Sequence, residues 1–351
     1  MLAQPMDQRT TPITISDVAA AAKVSIRTVS RVINDSEAVN QSTRLMVREV
    51  IDRLGFTPNS RARGLANGRS YLLGVVQDDP NTHVIGVFQR GIVDCCSKAG
   101  YELVVHSSTY GDERLVDDIS NFVHRSHVDG LILLPPLSER ADIASAMSRL
   151  NVPVVGIAAV RIPSYGAMLI SDERRGAEEA AQHFISLGHS KIAIITGPRH
   201  FHSSNEREQG VRAALEKAGI PLPAKFVRDG DYGFQSGFRA ASELLDLTDR
   251  PTAIFASNDI MAAAAIKAAS ERGLDVPGDL SVIGFDDSDV AAMLTPALSS
   301  VHRPLRDMAW KATEQLLAVI AGADDERLAD HRVPMQLVLR QSTAAPPTHQ
   351  R

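Results

Sequence analysis

Residues Ile15 to Asn34 read I-S-D-V-A-A-A-A-K-V-S-I-R-T-V-S-R-V-I-N, and no other stretch constrains the fold as tightly. Val18, Ala21, Ala22, Val29, Val32 and Ile33 recur at three- and four-residue spacing. That period places them on one apolar seam shared by two short helices, with a tight turn between. Ser16 and Ser25 are N-cap candidates, because a serine oxygen accepts an orphan amide of the first turn. Asp17 suits the positive end of the first helix dipole. Ile26, Arg27, Ser30, Arg31 and Asn34 fall off the seam. This is the layout of a helix-turn-helix, whose second helix enters the major groove. An ordinary amphipathic helix pair shares the pattern, so the flanking sequence carries weight.

That flank continues the theme. Gln41–Phe56 reads as a third helix, with Leu45, Val47, Val50, Ile51 and Leu54 apolar and Gly55 at its end. Pro58 forces extended backbone before it. N-S-R-A-R-G-L-A-N-G-R follows at Asn59–Arg69, with a candidate short helix over Ser60–Ala66. Such a segment is too short to hold a helix alone in water. The chain carries a net charge of -5, yet Arg9–Arg69 holds ten Lys/Arg against five Asp/Glu, which is +5 and leaves -10 for the remainder. A basic head on an acidic body fits a small DNA reader joined to a domain that does not bind DNA.

From Tyr71 onward strands and helices alternate. Leu72–Val76, Leu103–Val105, Leu131–Leu134 and Val154–Ile157 read as buried strands of one series. Met168–Ile170, Ile192–Thr196, Phe226–Arg228, Ala253–Ala256 and Val282–Phe285 read as a second. Helices fall between them, and Leu305–Ala321 and Gln336–Leu339 add a late helix and strand. The alternation predicts doubly wound parallel sheets in two lobes around a cleft. The fold class expected is therefore a small all-α helix-turn-helix head plus a two-lobed α/β core. The expected boundaries are 12–58 for the head, 59–69 for hinge helix and linker, 70–167 with 302–331 for the first lobe, and 168–301 with 332–343 for the second. Residues 344–351 read as a disordered tail, being rich in Pro and polar residues. Cys95 and Cys96 are adjacent and match no metal or redox spacing. No run has transmembrane length and no signal-peptide core is present, so the expected location is the cytoplasm.

At this point the chain resembles the lactose-repressor (LacI) family of bacterial transcription regulators. The resemblance rests on Asp17–Asn34, on G-F-T-P-N-S-R-A-R-G-L-A at Gly55–Ala66, and on L-G-H-S-K-I-A at Leu187–Ala193. It continues in G-P at Gly197, P-T-A-I-F-A-S-N-D at Pro251–Asp259, V-P-G-D-L-S-V-I-G-F-D-D at Val276–Asp287 and L-T-P-A-L-S-S-V at Leu294–Val301. The resemblance implies a hinge helix between head and core, a core similar to periplasmic sugar-binding proteins, a homodimer on near-palindromic duplex operator DNA, and a small sugar-like effector. There are departures. Lys23 stands in the turn where glycine is common, Asp78–Ile85 lacks an aromatic pair for the first lobe of the pocket, and no leucine-heptad tail follows.

The candidate DNA contacts are Thr14, Ile15, Ser25, Ile26, Arg27, Thr28, Ser30, Arg31, Asn34, Asn59, Arg61, Ala62 and Leu65. Arg27 and Arg31 can each donate two bonds to guanine or can pair with phosphate. Thr28 and Ser25 are placed for phosphates near the helix start. Leu65 reads as a minor-groove wedge, or as packing between domains.

The candidate effector contacts are Arg207, Asp286, Asn258, Asp259, Tyr232, Phe234 and Asp78. Arg207, in S-N-E-R-E-Q-G, matches the family's effector-contacting arginine. Asp286 and Asn258–Asp259 follow strands, at the carboxyl ends where open α/β sheets bind ligands. Arginine and carboxylate together suit a polyol, or they form a structural ion pair; Asp259 alternatively caps a helix. Tyr232 or Phe234 offers an apolar face to a sugar ring. No cofactor, metal or catalytic constellation is expected. The rival reading from another class, a sugar-binding receptor without a DNA role, predicts an export signal and no basic head.

Overall fold

The structure, a computed structural model, describes residues 13–33, 36–56, 68–78, 81–323 and 330–347. Two compact units are present, Met1–Tyr71 and Leu72–Arg351.

The head unit holds three helices: α1 (Ile15–Ala21), α2 (Ile26–Ile33) and α3 (Gln41–Leu54). Val18, Ala19, Ala22, Val29, Val32, Val47, Val50 and Phe56 form its core. Each fully buried valine contributes about 1.5–3 kcal/mol, so this small set accounts for most of the head's cohesion. Three details differ from expectation. The cap of α1 is Thr14, not Ser16: Asp17 N donates to Thr14 Oγ1 at 3.4 Å, and Thr14 N donates to Asp17 Oδ2 at 2.8 Å. This reciprocal box satisfies two orphan amides, which a cap at Ser16 would not. Ala19 is buried and Ala21 exposed, because positions 18, 19 and 22 share one helix face. Leu45 is 61% exposed. Lys23 makes the turn with φ 54°, and Gly55 ends α3 at φ 63°.

The core unit contains two six-stranded sheets. In chain order its elements are β1 (Leu72–Gln77), α4 (Thr82–Ala99), β2 (Glu102–Ser107), α5 (Leu115–Ser126), β3 (Gly130–Leu133), a 3-10 turn (Leu137–Glu139), α6 (Ala141–Arg149), β4 (Val154–Ala158) and β5 (Met168–Ser171). Then come α7 (Glu173–Ser186), β6 (Ile192–Thr196), α8 (His202–Lys217), β7 (Val227–Asp229), α9 (Phe234–Leu245), β8 (Ala253–Ala256) and α10 (Asp259–Glu271). The chain finishes with β9 (Ser281–Asp286), α11 (Asp289–Met293), β10 (Ser299–His302), α12 (Leu305–Ile320), β11 (His331–Val333) and β12 (Gln336–Val338). The first sheet runs β11-β5-β4-β3-β1-β2 and the second β12-β10-β9-β8-β6-β7. All pairs are parallel except β10 with β12.

The expected lobe boundaries move. Met168–Ser171 belongs to the first sheet, where Met168, Leu169 and Ile170 pair with Gly156, Ile157 and Ala158. Its buried apolar run continues that sheet, and the chain changes lobe only afterwards, between β5 and α7. β11 also joins the first sheet, against β5, so residues up to Val333 stay in that lobe. The remaining crossings are β10 to α12 and β11 to β12. β10 was not anticipated. The tail differs as well: Ala344 N donates to Ser281 Oγ at 3.0 Å, and the buried His189 ring donates through Nε2 to the Ala344 carbonyl at 2.9 Å. Ala344 is therefore fastened to the second lobe, and 348–351 lie outside the described residues.

Candidate functional site

On the head, Ser25 caps α2, since Thr28 N donates to Ser25 Oγ at 3.1 Å. Val29 and Val32 point into the core, which turns Ile26, Arg27 and Arg31 to solvent and leaves Thr28 and Ser30 at the margin. Ile26 is 49% exposed, an apolar side chain left among polar ones on the face expected to read bases. Among the described residues neither Arg27 nor Arg31 takes an ion-pair partner. Both side chains are exposed. Ile15 packs partly into the head core, and the Thr14 hydroxyl is held by Asp17 at 2.7 Å. Asn34, Asn59, Arg61, Ala62 and Leu65 lie outside the described residues.

In the core unit a cleft opens between the two sheets, with about 430 Å³ of non-protein space partly continuous with solvent. The first lobe supplies an apolar wall, including Val84, Ile85, Phe88, Leu134 and Pro135, with Asn81 at its edge. The second lobe supplies Phe201, Ser203, Arg207, Tyr232 and Asp286, and Arg303 comes from the β10–α12 crossing.

Arg207 is 2% exposed. Its Nε donates to Glu173 Oε2 at 2.8 Å, and Nη1 donates to the Ser257 carbonyl. Its Nη2 stands 3.8 Å from Asp286 Oδ1. Arg303 Nη1 donates to the same oxygen at 2.9 Å, and Arg303 Nε lies 3.2 Å from Glu173 Oε1. Asn81 Nδ2, from the other lobe, donates to Asp286 Oδ2 at 3.3 Å. Two arginines and two carboxylates thus form one buried node spanning two lobe crossings. Burial alone would raise the Glu173 carboxyl, yet the charges of Arg207 and Arg303 hold it below the usual carboxylate range. The Phe285 ring centroid lies 3.8 Å from the Arg207 guanidinium carbon. That stacking fixes the guanidinium plane.

The backbone is strained at the same place. Asp286 has φ 105°, Asp287 φ 53° and Tyr232 φ 68°. Each such residue costs about 1–3 kcal/mol, a cost found mostly where a site over-determines the geometry. Tyr232 leans on Gly197, where an added Cβ would sit 2.4 Å from its ring. Only glycine at 197 leaves the tyrosine room to face Ser203, whose Oγ is 3.4 Å from its hydroxyl.

Arg207, Asp286 and Tyr232 are therefore brought together, and the other four expected residues stand apart from the cleft lining. Asn258 caps α10 through Met261 N at 2.9 Å and donates to the Tyr232 carbonyl at 2.9 Å, so it holds up the tyrosine loop. Asp259 is no cap; it accepts from Ser288 N at 2.7 Å and from the hydroxyls of Ser288 and Ser300. Burial and then the Asp286 charge push its carboxyl up to about 7. Phe234 is 41% exposed and stacks on Phe238. Asp78 accepts from the Tyr110 amide at 2.6 Å. Sequence reasoning missed Glu173, Arg303, Asn81 and Ser203. Arg303 follows a strand, the very signal that flagged Asp286, but the polar Ser299 and Ser300 hid β10.

Comparison with known proteins agrees with this architecture. Residues 14–59 match the family described as bacterial regulatory proteins, lacI family, and residues 181–343 match a periplasmic binding protein-like domain. The chain is 34% identical to the HTH-type transcriptional regulator DegA of Bacillus subtilis, over 94% of this chain and 98% of that one. The chain belongs to the LacI family.

Two solved structures of this family match over nearly their whole length. The lac repressor dimer bound to operator and the anti-inducer ONPF has 30% identity and a TM-score of 0.79, covering 95% of this chain and 100% of that one. The transcriptional regulator CelR–cellobiose complex has 30% identity and a TM-score of 0.71, covering 94% and 99%. Membership makes this chain a DNA-binding transcriptional regulator, and the receptor without a DNA role is set aside. Among the described residues no helix is long and apolar enough to cross a membrane.

Proposed function

We propose that this regulator is a homodimeric repressor of a carbohydrate-use operon, acting in the cytoplasm by binding alone, without a chemical step. Its heads read two half-sites through Arg27 and Arg31, and a sugar or sugar derivative in the cleft sets operator affinity. One recognition helix covers too few base pairs for genomic specificity, which is the physical reason for pairing.

The observation that carries the effector reading is the pairing of an apolar wall with a fixed Arg207–Asp286–Arg303 edge. A sugar ring has apolar C–H faces and a hydroxyl rim, so it matches both sides at once. Asp286 Oδ2 accepts from a hydroxyl, and the guanidiniums donate to ring or hydroxyl oxygens. The cellobiose-bound relative supports the same class.

The test is a thermal-shift screen with cellobiose, ribose and sugar acids on the full chain. A ligand at a hundred times its dissociation constant stabilises the core by about 2.7 kcal/mol. Loss of that shift in Asp286→Asn assigns the ligand to the cleft. A shift retained in full removes the assignment.

A further inference from the structure

Helix α8 carries Ser203 and Arg207, yet it has no cap of its own. Phe201 occupies the N-cap position, and no side chain at that position bonds the first turn. The missing acceptor comes from the opposite lobe. Glu139, at the end of the 3-10 turn Leu137–Glu139, accepts through Oε2 from the His202 amide at 2.9 Å. Beside this bond the rings of Tyr110, from the first lobe, and His200, from the second, meet at 5.0 Å between centroids. The Arg140 guanidinium lies over Tyr110 at 5.5 Å. These contacts close one side of the cleft.

We propose that Glu139 is a positioning residue that caps α8 from across the cleft, tying lobe closure to the order of the turn that presents Ser203 and leads to Arg207. The physical reason is the orphan amide. A helix start without an acceptor frays, and an acceptor that belongs to the other lobe is present only when the lobes are together. Opening the cleft then uncaps the helix, and ordering the helix favours closure.

The surroundings of Glu139 give the device a sign. The carboxyl is 9% exposed, and its Oε1 makes no hydrogen bond to described residues. The buried carboxylate of Glu173 on α7 acts on it, and His202, whose amide it accepts, keeps its ring Nδ1 buried with no hydrogen-bond partner among the described residues. Tyr165 in the β4–β5 loop is a third group, and Arg140 adjoins it in sequence. Burial, with the Glu173 charge adding, pushes the Glu139 carboxyl up to about 7, against the nearby backbone amides of His202 and Ala159, which pull it down. An open cleft exposes it to water and restores an ordinary value. The closed form therefore holds the proton, and closure is strongest below the ordinary glutamate value and weakens as pH rises through about 7. Between pH 6 and pH 8 the closing equilibrium falls on the order of tenfold.

The proposal deepens the effector reading of the cleft, but its test uses no ligand, so the two fail separately. Amide hydrogen exchange is followed in the Phe201–Arg207 peptide of the full chain, at pH 6 and pH 8, after correction for intrinsic exchange rates. The expected result is wild-type exchange several-fold faster at pH 8, and Glu139→Gln, which keeps a neutral acceptor, slow at both. In Glu139→Ala exchange rises about two- to thirty-fold, the range for a lost cap. Equal protection in Glu139→Ala and wild type overturns the proposal, as does the same pH response in Glu139→Gln and wild type. If Glu139→Ala has no cooperative melt, the wild-type and Glu139→Gln pair decides alone.

Discussion

Arg207 and Asp286 face each other at 3.8 Å across the floor of the cleft, inside charge range but beyond hydrogen-bond reach. Each is committed elsewhere: Arg207 to Glu173 at 2.8 Å, and Asp286 to Arg303 at 2.9 Å. The gap between them is held open by their other partners, and a ligand hydroxyl bridging it breaks neither bond.

That arrangement makes Arg207 structural as well as functional. Arg207→Ala leaves Glu173 buried with Arg303 and the Ser171 hydroxyl as its remaining partners. Breaking a buried pair from one side costs about 3–5 kcal/mol, so the core transition drops sharply in denaturant titration. Asp286→Asn removes a charge opposite Arg303 but keeps the shape and an amide oxygen that accepts from it, so it costs less than Arg207→Ala. A core as stable in Arg207→Ala as in wild type would show that Glu173 is not charged there.

On the head, Arg27 is the base-reading candidate, with an exposed side chain. Arg27→Ala lowers affinity for a selected operator by about 1–3 kcal/mol and relaxes preference at one base position. The check is binding to a panel of single-base operator variants. A uniform loss on every sequence assigns Arg27 to phosphate.

Two substitutions probe the head's own stability in opposite directions. Lys23 adopts φ 54°, so Lys23→Gly relieves a left-handed penalty of roughly 1 kcal/mol and raises the head's melting transition. Thr14→Ala removes the capping box and costs about 0.5–2 kcal/mol. Calorimetry that finds the same sign for both refutes this account of the turn and the cap.

Much of this was legible in the chain. The spacing of Val18, Ala22, Val29 and Val32 marks the head because a small core leaves few other solutions. The apolar runs from Leu72 to Phe285 mark the strands because parallel strands are buried on both faces. The late polar strand Ser299–His302 was not legible, since its serines bond Asp259, Ser342 and the backbone amides of Asp287 and Arg340 rather than packing as apolar side chains. Met168–Ile170 was legible as a strand but not as a member of the first sheet, because pairing depends on partners distant in sequence. The buried node was half legible: Asp286 follows a strand, whereas Glu173 looks like any acidic first-turn residue.

Asp259 gives a pH prediction. Its carboxyl is raised from 3.8 to about 7, so its contribution to stability is full below the unfolded value and is lost as pH rises through about 7. Glu139 acts with the same sign. Between pH 5 and pH 8 these two carboxyls pull the core melting temperature down, against His183 and His189, whose burial lowers their pKa and acts with the opposite sign. Asp259→Asn removes part of the downward component. An unchanged slope in that variant would mean Asp259 is already ionised at pH 5.

The most direct measurement is reciprocal coupling. The dissociation constant for operator DNA is determined with and without a cleft-bound sugar found by the screen, and that for the sugar with and without operator. Linkage requires the two ratios to be equal, and an allosteric regulator places them at about 5- to 150-fold. The account predicts equal ratios in that range, and a ratio of one in Asp286→Asn at the same sugar concentration. Ratios of one in the wild-type protein, with the sugar bound, would contradict it.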